Sequence, residues 1–152
     1  MNIIQFFERA LGQNPDKVFI IQETEEKQDD QIFYSYKNFT YKEFYRLVLD
    51  LAGEMTRVEI GYRDRVFINL PRCPETIACW FAANLLGAIA IIIDSALTTE
   101  ELDKRTALVE PKLIINQSDL ERFLKRRSAG KIINFYQTKF NDIAALIFSS
   151  ET

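Results

Sequence analysis

The chain has 152 residues, 47% hydrophobic and 27% charged, with a formal net charge of −3 and no histidine. That length supports one globular core and not two large domains, and that charge exerts no general pull on nucleic acid or an anionic membrane. The missing histidine removes Ser–His–Asp and Cys–His nucleophilic catalysis and every histidine-dependent metal site.

Residues Ile3, Ile4, Phe7, Ala10 and Leu11 recur at helical spacing, and Gly12 with Asn14-Pro15 supplies a stop, so the chain opens with a short amphipathic helix. The opening residues lack a basic n-region and carry Glu8 and Arg9 where a secretory core would continue, which argues against a signal peptide. A strand is predicted over 17–22, then the uniformly polar 23–30 as an exposed, mobile connection, then a second strand over 32–36 that Lys37-Asn38 turns toward Phe39.

Thr40 and Glu43 have the spacing of a capping box and begin a helix. Its stripe is Phe44, Leu47, Val48, Leu51 and Met55, with Lys42, Arg46, Asp50 and Glu54 facing away. A strand over 64–70 is closed by Pro71 and Pro74, a helix follows from Glu75 to about Leu86, and a strand over 88–93 comes next. The uncharged segment 77–93 approaches the roughly 20 residues of a bilayer helix. However, Asn84 and Gly87 interrupt it, and after Gly87 it becomes β-branched up to Asp94. That pattern reads as a buried helix feeding a buried strand, and no membrane span is expected.

Thr98 and Glu101 form a second capping box, opening a helix that Pro111 terminates, before a short strand over 112–116. Ser118 and Glu121 form a third, opening a helix with Leu120, Phe123 and Leu124 inward. Lys125-Arg126-Arg127 ends that helix before Gly130, where cations complement the dipole; this reads as a solvated helix end and not a nucleic-acid site. Strands over 131–134 and 143–148 finish the chain. Strands alternating with helices predict an α/β fold, a largely parallel sheet with helices on its faces. Cys73 and Cys79 fall outside a C-x-x-C pattern and read as reduced core or near-core thiols of a cytoplasmic protein.

The stretch 142–152 turns from an apolar β-rich run into a hydroxyl cluster, Ser149, Ser150, Glu151 and Thr152. A buried strand delivering hydroxyls and backbone N–H groups to a turn suits an oxyanion, since those donors carry no repelling charge. The five glycines are scattered, so neither G-x-G-x-x-G nor G-x-x-x-x-G-K-S/T occurs, which disfavours an unrelated nucleotide-binding domain.

Three blocks, in this order, resemble the opening of the adenylate-forming (AMP-binding) superfamily, which includes acyl-CoA synthetases. Phe39-Thr40-Tyr41-Lys42-Glu43-Phe44 resembles FTY-x-E-L. Within 61–102, Gly61-Tyr62-Arg63-Asp64-Arg65-Val66 resembles G-x-GDRV, Leu70-Pro71-Arg72-Cys73-Pro74-Glu75 resembles LPNSPE, Leu86-Gly87-Ala88 resembles the R-A-G-A step, and Leu97-Thr98-Thr99-Glu100-Glu101-Leu102 resembles LT-x-EEL. Residues 142–150 look like the strand leading into the family's phosphate loop. Three positions depart from the pattern: Glu151 falls on a loop glycine, Arg63 stands where glycine is frequent, and Ile93-Asp94-Ser95-Ala96 replaces Pro-x-Asn-Pro. A carboxylate beside polyphosphate adds repulsion, and a non-glycine residue resists positive φ.

The resemblance implies the N-terminal subdomain of the adenylate-forming fold, with 1–152 as one part of an AMP-binding domain, incomplete at its C-terminal end. It implies an enzyme that activates a carboxylic acid with ATP and Mg as an acyl-adenylate and passes the acyl group to a thiol of coenzyme A or a carrier protein. Ser149, Ser150 and Thr152 fall on the phosphate-binding hydroxyl positions; no catalytic or metal-binding residue is assigned. Because the loop lysine and the later nucleotide- and acyl-binding segments of the family have no counterpart in these residues, the polypeptide alone is expected to be inactive and to bind no nucleotide tightly. The alternative is a non-catalytic stand-alone relic that acts as a binding or interaction module. An isolated part-domain also exposes apolar surface, through which self-association is expected.

Overall fold

Two short runs, Val66-Phe67-Ile68 and Ala90-Ile91, are apolar at every position, so both faces of any sheet they join must be covered. The computed structural model, which describes residues 3–28, 31–94, 96–126, 135–137, 139 and 141–148, meets that demand with a four-stranded parallel sheet. In chain order the elements are α1 (Ile3–Gln13), β1 (Val18–Gln28), β2 (Gln31–Thr40), α2 (Tyr41–Arg57), β3 (Arg65–Ile68), α3 (Pro74–Leu85), β4 (Ile89–Ile92), α4 (Thr99–Val109), β5 (Leu113–Ile115), α5 (Gln117–Arg126) and β6 (Ala145–Leu146). The sheet order is β5-β3-β4-β6, with Val66 opposite Ala90 and Leu113, and Ala90 opposite Ala145.

Alternation along the strands divides the interior. Val66, Ile68, Ala90 and Ile115 point into the larger layer, with α1, α2, α3 and α5, while Phe67, Ile89 and Ile91 point to the face where α4 contributes Val109 and Leu102. The larger layer contains an aromatic cluster in which the Phe7 ring lies 5.0 Å from Phe19, 5.6 Å from Phe44 and 5.5 Å from Phe81. Phe44 is fully buried there, and truncating such a ring to alanine costs about 3–5 kcal/mol. The segment 77–93 is α3 followed by β4, and no helix among the described residues is long and apolar enough to cross a membrane.

The hairpin departs from expectation. β1 continues to Gln28 through the polar residues read as a connection, and β2 runs straight through Lys37-Asn38, where a turn was predicted. The cause is cross-strand pairing: Glu23, Glu25, Glu26 and Lys27 lie opposite Tyr36, Tyr34, Phe33 and Ile32, so the β-forming residues of one strand template the other. Polar composition there reports a ribbon exposed on both faces, not a lost ladder. The Tyr36 phenol is raised above its usual value by its hydrogen bond to Glu23 across the ladder.

Two further corrections concern helices. Glu54, expected to face away, is 1% exposed and pairs with Arg57 Nε at 3.1 Å, because α2 is covered on more than its apolar stripe. The third capping box lies two residues earlier than predicted. Asn116 Oδ1 accepts the Asp119 N–H at 3.1 Å, and Asp119 Oδ2 accepts the Asn116 N–H at 3.4 Å, so α5 begins at Gln117, ahead of Ser118. Asn116 follows β5 directly and is in place to cap, as its short side chain permits. The strand predicted over 143–148 shortens to Ala145–Leu146, which pair with Ala90 and Ile91 of β4. The one predicted over 131–134 lies outside the described residues.

The other two capping boxes form as predicted. Thr40 Oγ1 accepts the Glu43 N–H at 3.2 Å while Glu43 Oε2 accepts the Thr40 N–H at 2.9 Å. Thr98 and Glu101 repeat this at 3.3 and 3.0 Å. The Thr40 N–H and then its hydroxyl hold the Glu43 carboxyl below the usual range, and the Thr98 hydroxyl and then its N–H do the same for Glu101. A carboxylate depressed in the folded state contributes stability that is present above its unfolded value and lost as pH falls through the folded one. Thermal midpoints should therefore decline below about pH 4.5. Thr40→Ala should cost about 1 kcal/mol at neutral pH, a drop of about 2–4 °C, and should flatten the acid limb; calorimetry giving an unchanged acid slope would contradict the assignment.

Candidate functional site

The sheet has two ends with different chemistry. At the carboxyl end, β6 runs parallel to β4 and carries the chain to Phe148, the last described residue. The Phe148 ring meets Phe67 edge-on at 6.3 Å, and the Arg105 guanidinium of α4 stands over it at 4.7 Å. Open α/β sheets hold ligands outside the carboxyl ends of their strands. Ser149, Ser150, Glu151 and Thr152, which follow in sequence, lie outside the described residues.

The amino end is closed by contacts that pattern reasoning did not identify. Tyr136 stacks on Tyr62 with centroids 4.4 Å apart, and the Tyr62 hydroxyl donates to Asp142 Oδ1 at 3.0 Å. Asp142 Oδ2 accepts the Lys139 N–H at 2.6 Å. The Tyr136 N–H donates to the Leu85 carbonyl at 2.9 Å, and its ring occupies the space a side chain at position 87 would need: a Cβ on Gly87 would lie 2.6 Å from Tyr136 Cγ. Gly87 also has φ +72°, a second reason for glycine there. Hydrogen bonding to Tyr62, then burial and the Asp142 charge, push the Tyr136 phenol up to about 12, and the Lys139 N–H chiefly holds Asp142 low. The sequence signals at these places were the block from Gly61 that contains Tyr62, the turn at Gly87 and the start of the block at Asp142; none pointed to Tyr136.

Beside this end lies a cleft of about 580 Å³ between α1, the end of α3 and residues 135–137 and 139, lined in part by Glu8, Asn84, Tyr136 and Lys139. It is at the opposite end of the sheet from Phe148. Asn84, which interrupted the apolar segment in sequence, is 5% exposed and satisfied: its Nδ2 donates to the Trp80 carbonyl at 2.9 Å and the Ala144 carbonyl at 3.3 Å. Both thiols are free. Cys79 is buried, which pushes its thiol up; Cys73 is half-buried at the N-cap of α3, with Sγ 3.4 Å from Thr76 Oγ1.

The sequence profile described as AMP-binding enzyme matches residues 7–151. Acetyl-coenzyme A synthetase 2 of Eremothecium gossypii is 28% identical over 127 residues, covering 84% of this chain and 18% of its own length. Acetyl-coenzyme A synthetase of Penicillium chrysogenum is 26% identical over 145 residues, covering 95% of this chain and 21% of its own. The chain thus spans about a fifth of the length of these curated relatives. Among solved structures, the inhibitor-bound N-terminal domain of FACL13 from Mycobacterium tuberculosis gives a TM-score of 0.79 at 19% identity, covering 99% of this chain and 42% of that one. The Klebsiella oxytoca NpsA N-terminal subdomain in complex with 3-hydroxyanthranilyl-AMSN gives 0.79 at 16%, covering 99% and 37%. At those identities the structural likeness is one of fold.

Arg63, one of the departures from the resemblance, has φ +64° and donates its N–H to the Gly87 carbonyl at 2.9 Å. A side chain in the left-handed region costs about 1–2 kcal/mol, which is the physical reason glycine suits this position. Urea unfolding should find Arg63→Gly more stable than Arg63→Ala by about 1 kcal/mol; equal stabilities would show that the turn carries no strain.

Proposed function

This chain belongs to the AMP-binding enzyme family, and we propose that it is the N-terminal part of an ATP-dependent carboxylic acid activating enzyme of the acyl-CoA synthetase kind. The observation that carries the reading is the delivery of β6, parallel to β4, to the carboxyl edge of the sheet immediately before the hydroxyl cluster. Ser149, Ser150 and Thr152 would donate hydroxyl and backbone hydrogen bonds to the phosphates, a neutral donor set suited to a polyanion. In the complete enzyme a carboxylate would attack the α-phosphorus of bound Mg-ATP and displace pyrophosphate, and a thiol of coenzyme A or a carrier protein would then take the acyl group and displace AMP. The contribution of these residues is positioning and charge stabilisation. Exposed Ile147 and Leu108, 89% and 76% accessible, support self-association of the isolated polypeptide.

These 152 residues hold no lysine after Lys139, so by themselves they bring none to the hydroxyl cluster. The polypeptide alone should therefore show no carboxylate-dependent exchange of labelled pyrophosphate into ATP; turnover above a matched blank would overturn this. Glu151 favours a second reading, an interaction module without catalysis, because a loop that holds no phosphate is free to lose its glycine. The genomic reading frame separates the two. Continuation after Thr152 into Thr-Gly-x-Pro-Lys and several hundred codons supports the enzyme, and an in-frame stop supports the module.

A further inference from the structure

The strand that leads to the hydroxyl cluster is poorly specified by its own ladder. β6 has two residues, and Ile143-Ala144-Ala145-Leu146-Ile147 is apolar at every position, so alternation does not distinguish one register from the next. A slip of one residue would move everything beyond it by about 3.3 Å and turn each side chain to the other face. Donors aimed at a phosphate need placement to within about 0.5 Å. Something other than the strand must hold it.

We propose that Tyr136, Tyr62, Asp142 and Asn84 form a clasp at the amino end of the sheet that sets the register of β6, making them positioning residues for the hydroxyl cluster beyond Phe148. Asp142 precedes β6 by three residues, as Gly87 precedes Ala90 of β4, so the clasp acts at the level where the paired strands begin. Each member constrains a different freedom. Tyr136 seats its ring against Gly87 and ties its backbone to Leu85, which fixes the segment laterally. Tyr62, on the turn before β3, holds Asp142 through its hydroxyl, which fixes the segment along the strand direction. Asn84 and the Ala90 N–H both donate to one carbonyl, that of Ala144, each at 3.3 Å. The Tyr62–Asp142 contact is directional and specific to one register, because it needs that carboxylate; the Asn84–Ala144 bond is directional but made to a backbone carbonyl, and it reinforces the position so set.

The phosphate role of Ser149 and Ser150 rests on the proposed function; the clasp itself does not, and the test is done without nucleotide. Amide hydrogen exchange and inter-strand nuclear Overhauser contacts are measured on the whole chain and on Tyr136→Ala, Tyr136→Phe, Tyr62→Phe and Asp142→Asn. Wild type should retain contacts between the Ala90 amide and Ala145, and Tyr136→Phe, which keeps the ring against Gly87 and loses only the hydroxyl beside Tyr62 and Asp142, should keep more protection than Tyr136→Ala. Tyr136→Ala and Tyr62→Phe should lose about tenfold or more of the exchange protection at 144–146 while Val48 and Leu51 of α2 stay protected. Should Tyr136→Ala unfold globally, the hydroxyl deletion Tyr62→Phe still decides, since an asparagine at 142 keeps an oxygen able to accept from Tyr62. Native contacts and unchanged protection in all variants would overturn the proposal, as would equal loss in α2, which would make the residues generally stabilising. The reading frame after Thr152 tests the phosphate reading separately: an in-frame stop sinks that reading and leaves the clasp standing.

Discussion

The fold depends on covering both faces of the β3–β4 ladder. Each strand has four residues, and beyond Arg65 every paired position is apolar, so each needs a layer on either side and neighbours for its backbone groups. β5 supplies the neighbour on one flank and β6 on the other. Parallel strands cannot be joined by tight turns, so the intervening chain must cross a face, and it does so as helices: α3 on the large layer, α4 on the small one. Most of the larger layer is helical. The smaller layer is thin, with Val109 the one residue of α4 that is buried.

The two ends of the sheet consequently have different duties. The amino end carries the positive-φ turns at Arg63 and Gly87, joined by a backbone hydrogen bond, and the aromatic and carboxylate contacts that hold residues 135–142. The carboxyl end has Phe148 between Phe67 and Arg105. The positive-φ backbone thus lies away from the edge at which ligands bind in open α/β sheets.

Local signals were legible where both partners sit within one turn of chain. Thr40–Glu43 and Thr98–Glu101 are such cases, and both helices begin where the residues said. The same pattern misled at Ser118, because Asn116, placed by β5, competes for the cap with Asp119 as its reciprocal partner. The hairpin was illegible beyond Gln22 because strand formation there depends on residues across the ladder, and its own composition speaks only of exposure. Glu54 was misjudged because helical periodicity describes one stripe and not how many neighbours a helix has.

By itself the sequence determined the alternation of helices and strands, the parallel class of the sheet, and the resemblance that the family match supports, since all three are written in periodicity, caps and short contiguous blocks. Only the tertiary structure decided the strand order, the length of the exposed hairpin, the burial of Glu54, and the meeting of Tyr62, Gly87, Tyr136 and Asp142. These depend on residues up to 80 positions apart. No local pattern encodes such a pair, because the contact exists only once the sheet has brought the starts of β3, β4 and β6 side by side.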